Sequence, residues 1–119
     1  MPKILIVDDS ILSRKKLRMI LEEANYEIAG EACNGEEALR KYEDLSPDLV
    51  TMDITMPDVD GISALKNIIN YDSSAKVVMV TALGKGSTML EALKSGAKNF
   101  ITKPFVNDQV VNIIQEVLK

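Results

Sequence analysis

The chain has 119 residues, of which 46% are hydrophobic and 27% are charged, and its formal net charge is −4. This length predicts one domain with a single core, and the acidic balance argues against a nucleic-acid-binding face. The sequence contains no histidine and one cysteine, Cys33, which excludes a Ser-His-Asp triad and an internal disulfide and argues strongly against zinc chemistry.

The first apolar run, Ile4 to Val7, meets Asp8 at once and is too short for a signal peptide. No apolar run approaches the roughly 20 residues that cross a bilayer. A lone cysteine also fits a reducing compartment. We therefore expect a cytoplasmic protein that makes no membrane contact.

Runs of strand-forming residues alternate with amphipathic helical patterns along the chain. In chain order, the predicted strands are Lys3 to Val7, Glu27 to Cys33, Leu49 to Met52, Lys76 to Thr81 and Asn99 to Thr102. The second strand alternates weakly and suits a sheet edge, whereas the first and fourth are apolar on both faces, as in a covered parallel sheet.

Capping residues indicate where the helices begin. In chain order, the predicted N-caps are Asp9 or Ser10, Asn34, Asp60 and Ser87. Glu37, three residues after Asn34, predicts a capping box, and Gly96 predicts the end of the fourth helix. Gly84 and Gly86 predict a flexible loop before that helix. The last helix carries one apolar face, formed by Val110, Ile113, Ile114, Val117 and Leu118.

This alternation predicts an α/β fold, a single doubly wound five-stranded parallel sheet with five helices. Such sheets bind ligands at the carboxyl ends of their strands. The polar residues there are Asp8, Asp9, Asp53, Thr81 and Lys103. Converging carboxylates need a cation between them, and ligands that are all oxygen favour Mg²⁺. A carboxylate can also attack phosphorus to form an aspartyl-phosphate, with cationic and hydroxyl groups stabilising the phosphoryl oxygens.

Four motifs resemble the receiver domain of two-component response regulators, and the resemblance covers residues 1–119. They are Val7-Asp8-Asp9-Ser10, Met52-Asp53-Ile54-Thr55-Met56-Pro57 with Asp60-Gly61, Val80-Thr81-Ala82, and Lys103-Pro104-Phe105. The resemblance implies the flavodoxin-like strand order 2-1-3-4-5. It also implies a cis peptide bond between Lys103 and Pro104, a form found in about 5–6% of X-Pro bonds.

The resemblance assigns a role to each of these positions. Asp53 would be the phosphoacceptor and a ligand of Mg²⁺, which Asp9 would bind directly, Asp8 largely through water and Thr55 through its main-chain carbonyl. The phosphoryl-binding and switch residues would be Thr81, Lys103, Phe100 and Ala82. The family often has a tyrosine at the position of Phe100.

The implied protein is a regulatory phosphoacceptor rather than an enzyme: it catalyses only its own phosphorylation and slow dephosphorylation. Thr55 and Leu83 occupy positions that tune self-hydrolysis in the family, and apolar Leu83 predicts a modest rate because it cannot orient a water. The implied partners are a sensor histidine kinase of the CheA type, a flagellar motor switch protein or another output protein, and a possible phosphatase. We expect a monomer that does not contact nucleic acid directly.

The end of the sequence just after the last helix favours a stand-alone protein, and several stretches resemble chemotaxis members of the family. We therefore expect control of the flagellar motor. The alternatives are a phosphorelay intermediate and the isolated receiver domain of a transcriptional response regulator.

Other interpretations fit the residues less well. Gly84-Lys85-Gly86-Ser87 lacks the Walker A spacing, and Asp58-Val59-Asp60-Gly61 lacks the spacing of an EF-hand. A flavodoxin-like cofactor binder would need a phosphate-binding loop where Asp8 and Asp9 stand. An aspartate-nucleophile phosphatase would need a second acid at the position of Thr55.

Overall fold

The computed structural model describes residues 1–56, 60–82 and 86–119. Strands and helices alternate throughout. In chain order they are β1 (Lys3–Val7), α1 (Ile11–Glu23), β2 (Glu27–Ala32), α2 (Gly35–Leu45), β3 (Leu49–Asp53), α3 (Gly61–Tyr71), β4 (Val77–Thr81), α4 (Gly86–Lys94), β5 (Asn99–Thr102) and α5 (Asn107–Leu118). The expectations that concern Pro57, Asp58, Val59, Leu83, Gly84 and Lys85 lie outside the described residues.

The strands form one parallel sheet in the order β2-β1-β3-β4-β5. This confirms the predicted doubly wound α/β fold and the order 2-1-3-4-5. It also places the weakly alternating β2 at an edge, as its sequence predicted. None of the described helices combines the length and the apolar character that a bilayer-spanning helix needs.

The sheet has a separate apolar core on each face, as its two-sided strands require. On one face, residues of β1, β3 and β4 pack against α2, α3 and α4, including Ala38, Leu65 and Ala92. On the other face, α1 and α5 cover the sheet through Leu21 and Ile114, among others. On α5 the predicted apolar face is buried at Val110 and Ile114, whereas on α4 Ala92 is buried but Leu90 and Leu93 are exposed.

Several element boundaries differ from the prediction. Strand β2 ends at Ala32 rather than Cys33, β4 begins at Val77 rather than Lys76, and β3 includes Asp53 itself. Gly86, predicted to lie in a loop, is the first residue of α4, one position before the expected Ser87. No atom of the described residues lies within 4 Å of a Cβ placed on Gly86, so packing against the described part of the chain does not require a glycine there.

The caps follow the sequence closely. Three side chains each accept a hydrogen bond from the backbone N–H three residues later, at 2.8–3.2 Å: Ser10, Asn34 and Asp60. The predicted capping box is only half formed, because the carboxylate of Glu37 contacts Cys33 and forms an ion pair with Lys41. Gly96 has a φ of 114°, as expected for a glycine just after the end of a helix.

Candidate functional site

The strand register brings the predicted polar residues to one edge of the sheet. Val7 of β1 pairs with Met52 of β3, so that Asp8 and Asp53 are the next residues on neighbouring strands. On the other side of β3, Asp53 itself pairs with Val80 of β4. The carboxyl ends of the central strands therefore place two acidic side chains side by side.

Asp9 joins these two acids. One carboxylate oxygen from each of Asp8, Asp9 and Asp53 lies within 4.8 Å of the others. Asp8 and Asp53 are only 4% and 6% exposed, whereas Asp9 is exposed. The cluster therefore opens to solvent on the Asp9 side and is closed on the side of the sheet.

Lys103 brings a positive charge to the acidic cluster. Its Nζ lies 2.9 Å from Asp8 Oδ2 and 3.7 Å from Asp53 Oδ1. Its backbone N–H donates to the carbonyl of Thr81 at 2.8 Å, which ties the end of β5 to the end of β4. The peptide bond between Lys103 and Pro104 is cis, as the sequence predicted.

Asp8 is held from several directions. Its Oδ1 accepts a hydrogen bond from the backbone N–H of Ser10 at 2.9 Å, and its Oδ2 forms the ion pair with Lys103. Its own backbone N–H donates to Ala32 on β2 at 3.0 Å. Because both carboxylate oxygens and the main chain have partners, Asp8 is a fixed part of the site.

Asp53 is in a less favourable environment. Burial raises its pKa, the negative charges of Asp8 and Asp9 raise it further, and the nearby Lys103 only partly compensates, leaving a pKa of about 6. The ordinary value is 3.8. The ionised form of Asp53 is therefore destabilised by the fold, although it still predominates at pH 7.

This donor set fits a hard divalent cation. The three ligand atoms are carboxylate oxygens, and the repulsion that raises the pKa of Asp53 is what a cation among them would relieve. Soft and borderline metals favour thiolate or imidazole ligands, and neither type belongs to this cluster. The fourth predicted ligand residue, Thr55, is exposed in the loop after β3.

The other predicted switch residues lie on β4 and β5 or directly after β4. Thr81 is the last residue of β4 and is 8% exposed, and Ala82, the next residue, is exposed. Phe100 pairs with Met79 of β4 and packs against the core beneath α3 and α4. Since side chains alternate along a strand, Thr81 and Phe100 belong to the same face of the sheet.

The close approach of Gly61 to Asp53 was not read from the sequence. A Cβ at Gly61 would lie 2.1 Å from the carbonyl oxygen of Asp53 and 2.6 Å from the Cα of Ile54. The backbone N–H of Gly61 also donates to the carbonyl of Ile54 at 2.8 Å. The start of α3 therefore sits directly against the end of β3. The only sequence feature that marks this contact is the Asp60-Gly61 pair of the second motif.

Arg14 was also overlooked, since the sequence shows it only as a polar residue between the apolar positions of α1. Its guanidinium donates to the main-chain carbonyl of Asp8 at 2.5 Å and to Glu31 on β2 at 2.9 Å. No motif marks this contact, which depends on residues from three different elements.

Comparison with known proteins places the chain among proteins of this architecture. The response regulator receiver domain family matches residues 4–115. Chemotaxis protein CheY of Thermotoga maritima is 49% identical over 117 residues, with 98% of each chain covered. Protein CcdB of Bacillus subtilis is 51% identical over 118 residues, covering 99% of this chain and 98% of that protein.

A solved structure is similarly close. The CheX-CheY complex of Borrelia burgdorferi with BeF₃ and Mg²⁺ contains a chain that superposes with a TM-score of 0.95. That chain is 41% identical in sequence, and the match covers 98% of this chain and 89% of the other. The similarity therefore extends over nearly the whole fold described above.

Proposed function

Because the chain belongs to the response regulator receiver domain family, we propose that Asp53 accepts a phosphoryl group from a phosphohistidine of a partner kinase. In this proposal the chain is a signalling switch of a two-component system. It promotes its own phosphorylation and slow dephosphorylation and acts on no other substrate. We place it in the cytoplasm, where a sensor kinase would present its phosphohistidine.

One observation carries this proposal. Asp53 is buried beside two other carboxylates within 4.8 Å, yet Lys103 Nζ lies 3.7 Å from it. A carboxylate that served only to stabilise the fold would have hydrogen-bond donors rather than other acids around it. This combination of a raised pKa and a specific cation is typical of functional sites.

The chain's own residues supply the nucleophile and the positive charge. A carboxylate oxygen of Asp53 attacks the phosphorus; the phosphorus–nitrogen bond to the kinase histidine breaks, and its electron pair stays on the imidazole nitrogen. A pKa of about 6 leaves Asp53 mostly ionised at neutral pH, as a nucleophile requires. Lys103 is close enough to turn from Asp8 towards a phosphoryl oxygen on Asp53.

Asp8, Asp9 and Asp53 are the residues that would hold Mg²⁺, with the main-chain carbonyl of Thr55 as a further ligand. When bound, Mg²⁺ would neutralise the converging carboxylates and the phosphoryl oxygens. The acidic cluster and the Mg²⁺ present in the similar CheY complex support this choice of ion.

The switch would run from Asp53 through β4 to β5. The Thr81 hydroxyl would move towards the phosphoryl group, and Phe100 would pack more deeply on the same face of the sheet. Phe100 is only half-buried in this structure, which leaves apolar surface for such a movement. The local charge would thereby bias a two-state surface formed by α4, β5 and α5.

Chemotaxis is the output that we favour. The relatives that support it are CheY of Thermotoga maritima and the CheY of the CheX-CheY complex. The proposed partners are a CheA-like kinase, a flagellar motor switch protein and a phosphatase, and a CheX-like protein is a further candidate because CheX forms a complex with the similar CheY. The similarity to CcdB, at 51% identity, favours a second possibility, an output other than the flagellar motor.

A phosphorylation assay tests the proposed chemistry. The protein is incubated with Mg²⁺ and a small acyl-phosphate donor, and phosphate uptake is followed by intact-mass spectrometry. The wild-type protein should gain one phosphoryl group, whereas Asp53→Asn should gain none because the nucleophile is absent. Asp72→Asn is the matched control and should be labelled normally. Equal labelling of Asp53→Asn and wild type would show that the site assignment is wrong.

A second experiment tests the output. The protein is immobilised with Mg²⁺, with and without fluoroberyllate as a phosphoryl mimic, and incubated with purified candidate partners. Selective binding of a flagellar switch protein to the loaded form supports the chemotaxis proposal. Selective binding of a histidine phosphotransfer protein instead would contradict chemotaxis while leaving the chemistry intact.

A further inference from the structure

Arg14 joins the acidic cluster to the edge of the sheet. It lies in the first turns of α1, and its side chain is 15% exposed. One guanidinium nitrogen, Nη1, donates to the main-chain carbonyl of Asp8 at 2.5 Å, and Nε donates to Glu31 Oε1 at 2.9 Å. The planar guanidinium thus connects the peptide after Asp8 to a carboxylate on β2.

The contact with the Asp8 carbonyl fixes a particular peptide unit. That carbonyl belongs to the same planar peptide as the backbone nitrogen of Asp9. The orientation of this peptide therefore influences the direction in which the Asp9 side chain extends from the main chain. Asp8 has additional restraints through Ser10 and Lys103, whereas Asp9 is exposed. Among the contacts described here, the hydrogen bond from Arg14 is the one that restrains this peptide from the side of α1.

Glu31 gives Arg14 a stable anchor. Burial opposes the ionisation of Glu31, but hydrogen bonds and charges from Arg18 and Arg14 outweigh it and lower its pKa. Arg18 Nε donates to the second oxygen of Glu31 at 2.8 Å. The main-chain carbonyl of Glu31 also accepts a hydrogen bond from Lys41. Glu31 is therefore ionised, and residues of both α1 and α2 form hydrogen bonds with it.

We propose that Arg14 is a positioning residue for the metal-binding acids: it orients the Asp8–Asp9 peptide so that both carboxylates face Asp53. This inference rests on the proposed function, because it assigns a role in binding Mg²⁺. It goes further by adding a residue that neither binds the ion nor touches the phosphoryl group. Residues that orient metal ligands typically change metal affinity by about 10–100-fold when mutated.

Charge and geometry predict opposite results for Arg14. If Arg14 acted only through its positive charge, its removal would tighten the binding of a divalent cation, because a nearby repulsion would be lost. If it positions the acids, its removal weakens binding despite that loss of repulsion. The sign of the change therefore separates the two roles.

Arg18 provides a matched control. It lies four residues later on α1 and pairs with the same Glu31, but its other described partner is Glu22 rather than the main chain of Asp8. Arg14→Gln and Arg18→Gln remove the same charge and the same kind of ion pair. Only Arg14→Gln removes the contact with the acidic site.

The experiment is a calorimetric titration of the 119-residue protein and of each variant with MgCl₂ at fixed ionic strength and without a phosphoryl donor. We expect Arg14→Gln to bind Mg²⁺ about 10-fold more weakly than wild type, at the lower end of the range for residues that orient metal ligands because the loss of a nearby positive charge partly compensates, and Arg18→Gln to stay within about twofold. Circular dichroism checks that both variants fold. Arg14→Met, which keeps an apolar stem, replaces Arg14→Gln if that variant is unfolded.

Two results would overturn the positioning role. One is an Arg14→Gln affinity equal to or tighter than wild type, and the other is an equal loss in both variants. Either would leave the proposed function standing. Absence of saturable Mg²⁺ binding by the wild-type protein would instead overturn the proposed function, together with the role of Arg14 that rests on it.

Discussion

Two aspartates, one at the end of β3 beside the start of α3 and one at the C-terminal end of α3, have opposite environments. Asp53 precedes the helix, and its carbonyl lies against Gly61 at the helix start. Asp72 is the C-cap residue at the other end. Hydrogen bonds from Ser74 and then from Tyr42 lower the pKa of Asp72, whereas burial and neighbouring acids raise that of Asp53 to about 6.

The difference lies in what surrounds each carboxylate. Asp72 accepts hydrogen bonds from the hydroxyl of Ser74 at 2.7 Å and from the hydroxyl of Tyr42 at 2.8 Å, so it links the end of α3 to α2. Asp53 has Asp8 and Asp9 as neighbours and Lys103 at 3.7 Å. A carboxylate with donors stabilises the fold, whereas one among other carboxylates destabilises it and remains available for chemistry.

The largest expected effect is that of Gly61→Ala. The added Cβ would lie 2.1 Å from the carbonyl oxygen of Asp53, so the backbone at the start of α3 must move away. We expect the free energy of unfolding to fall by about 2–3 kcal/mol, as measured by urea denaturation. Gly86→Ala is the control: within residues 1–56, 60–82 and 86–119 no atom lies within 4 Å of a Cβ at this position, and the substitution should change stability by less than about 0.5 kcal/mol. Equal losses in the two variants would contradict a close contact specific to Asp53.

Asp53→Asn should stabilise the metal-free protein. The pKa of Asp53 is raised from 3.8 to about 6 on folding, so the folded state prefers the protonated acid. Its destabilising effect is therefore absent below about pH 3 and develops as the pH rises through 3.8 towards 6. We expect a gain of about 1–2 kcal/mol at pH 7 in urea denaturation with a chelator present.

The pH dependence separates this cause from a general effect of the substitution. The gain from Asp53→Asn should disappear at about pH 3, where the wild-type acid is largely protonated in both the folded and the unfolded state. Asp72→Asn should show no such gain at pH 7, because its ionised form is stabilised by hydrogen bonds. If Asp53→Asn were less stable than wild type at neutral pH, the claim that ionised Asp53 destabilises the fold while ionised Asp72 stabilises it would be wrong.

Tyr42→Phe should change the stability of the protein less than Asp53→Asn does, and it should lower it. It removes the hydroxyl that donates to Asp72 while keeping the buried ring, which packs edge-on against Tyr71 with centroids 6.2 Å apart. We expect a fall of about 2–5 °C in Tm and a rise in the pKa of Asp72. Tyr71→Phe keeps the ring contact and should leave that pKa unchanged. An unaltered pKa in Tyr42→Phe would show that Ser74 alone sets it.

The sequence predicted the position of those site residues that lie at the ends of strands. In a parallel sheet the carboxyl ends of the strands share one edge, so Asp8, Asp53 and Lys103 had to meet once their strands were recognised. The first residues of α1 and α3 could be predicted in a similar way, because N-capping follows from the local sequence.

The remaining contacts depend on relations that no local pattern encodes. Tyr42 and Asp72 are 30 residues apart, and their contact follows from how α2 packs on α3. Arg14 reaches the Asp8 carbonyl because Glu31, on another strand, holds its guanidinium. The clash that makes Gly61 necessary depends on the path of the backbone between β3 and α3.

The most direct test of the contrast is an NMR titration of the side-chain carboxyl groups in the metal-free protein. The account predicts that Asp53 titrates near 6 and Asp72 below 3.8 in the same sample. Addition of MgCl₂ should then lower the pKa of Asp53 and leave that of Asp72 unchanged. If Asp53 titrates at or below its ordinary value, or responds to Mg²⁺ no more than Asp72 does, its acidic surroundings do not prepare it for a cation and a phosphoryl group.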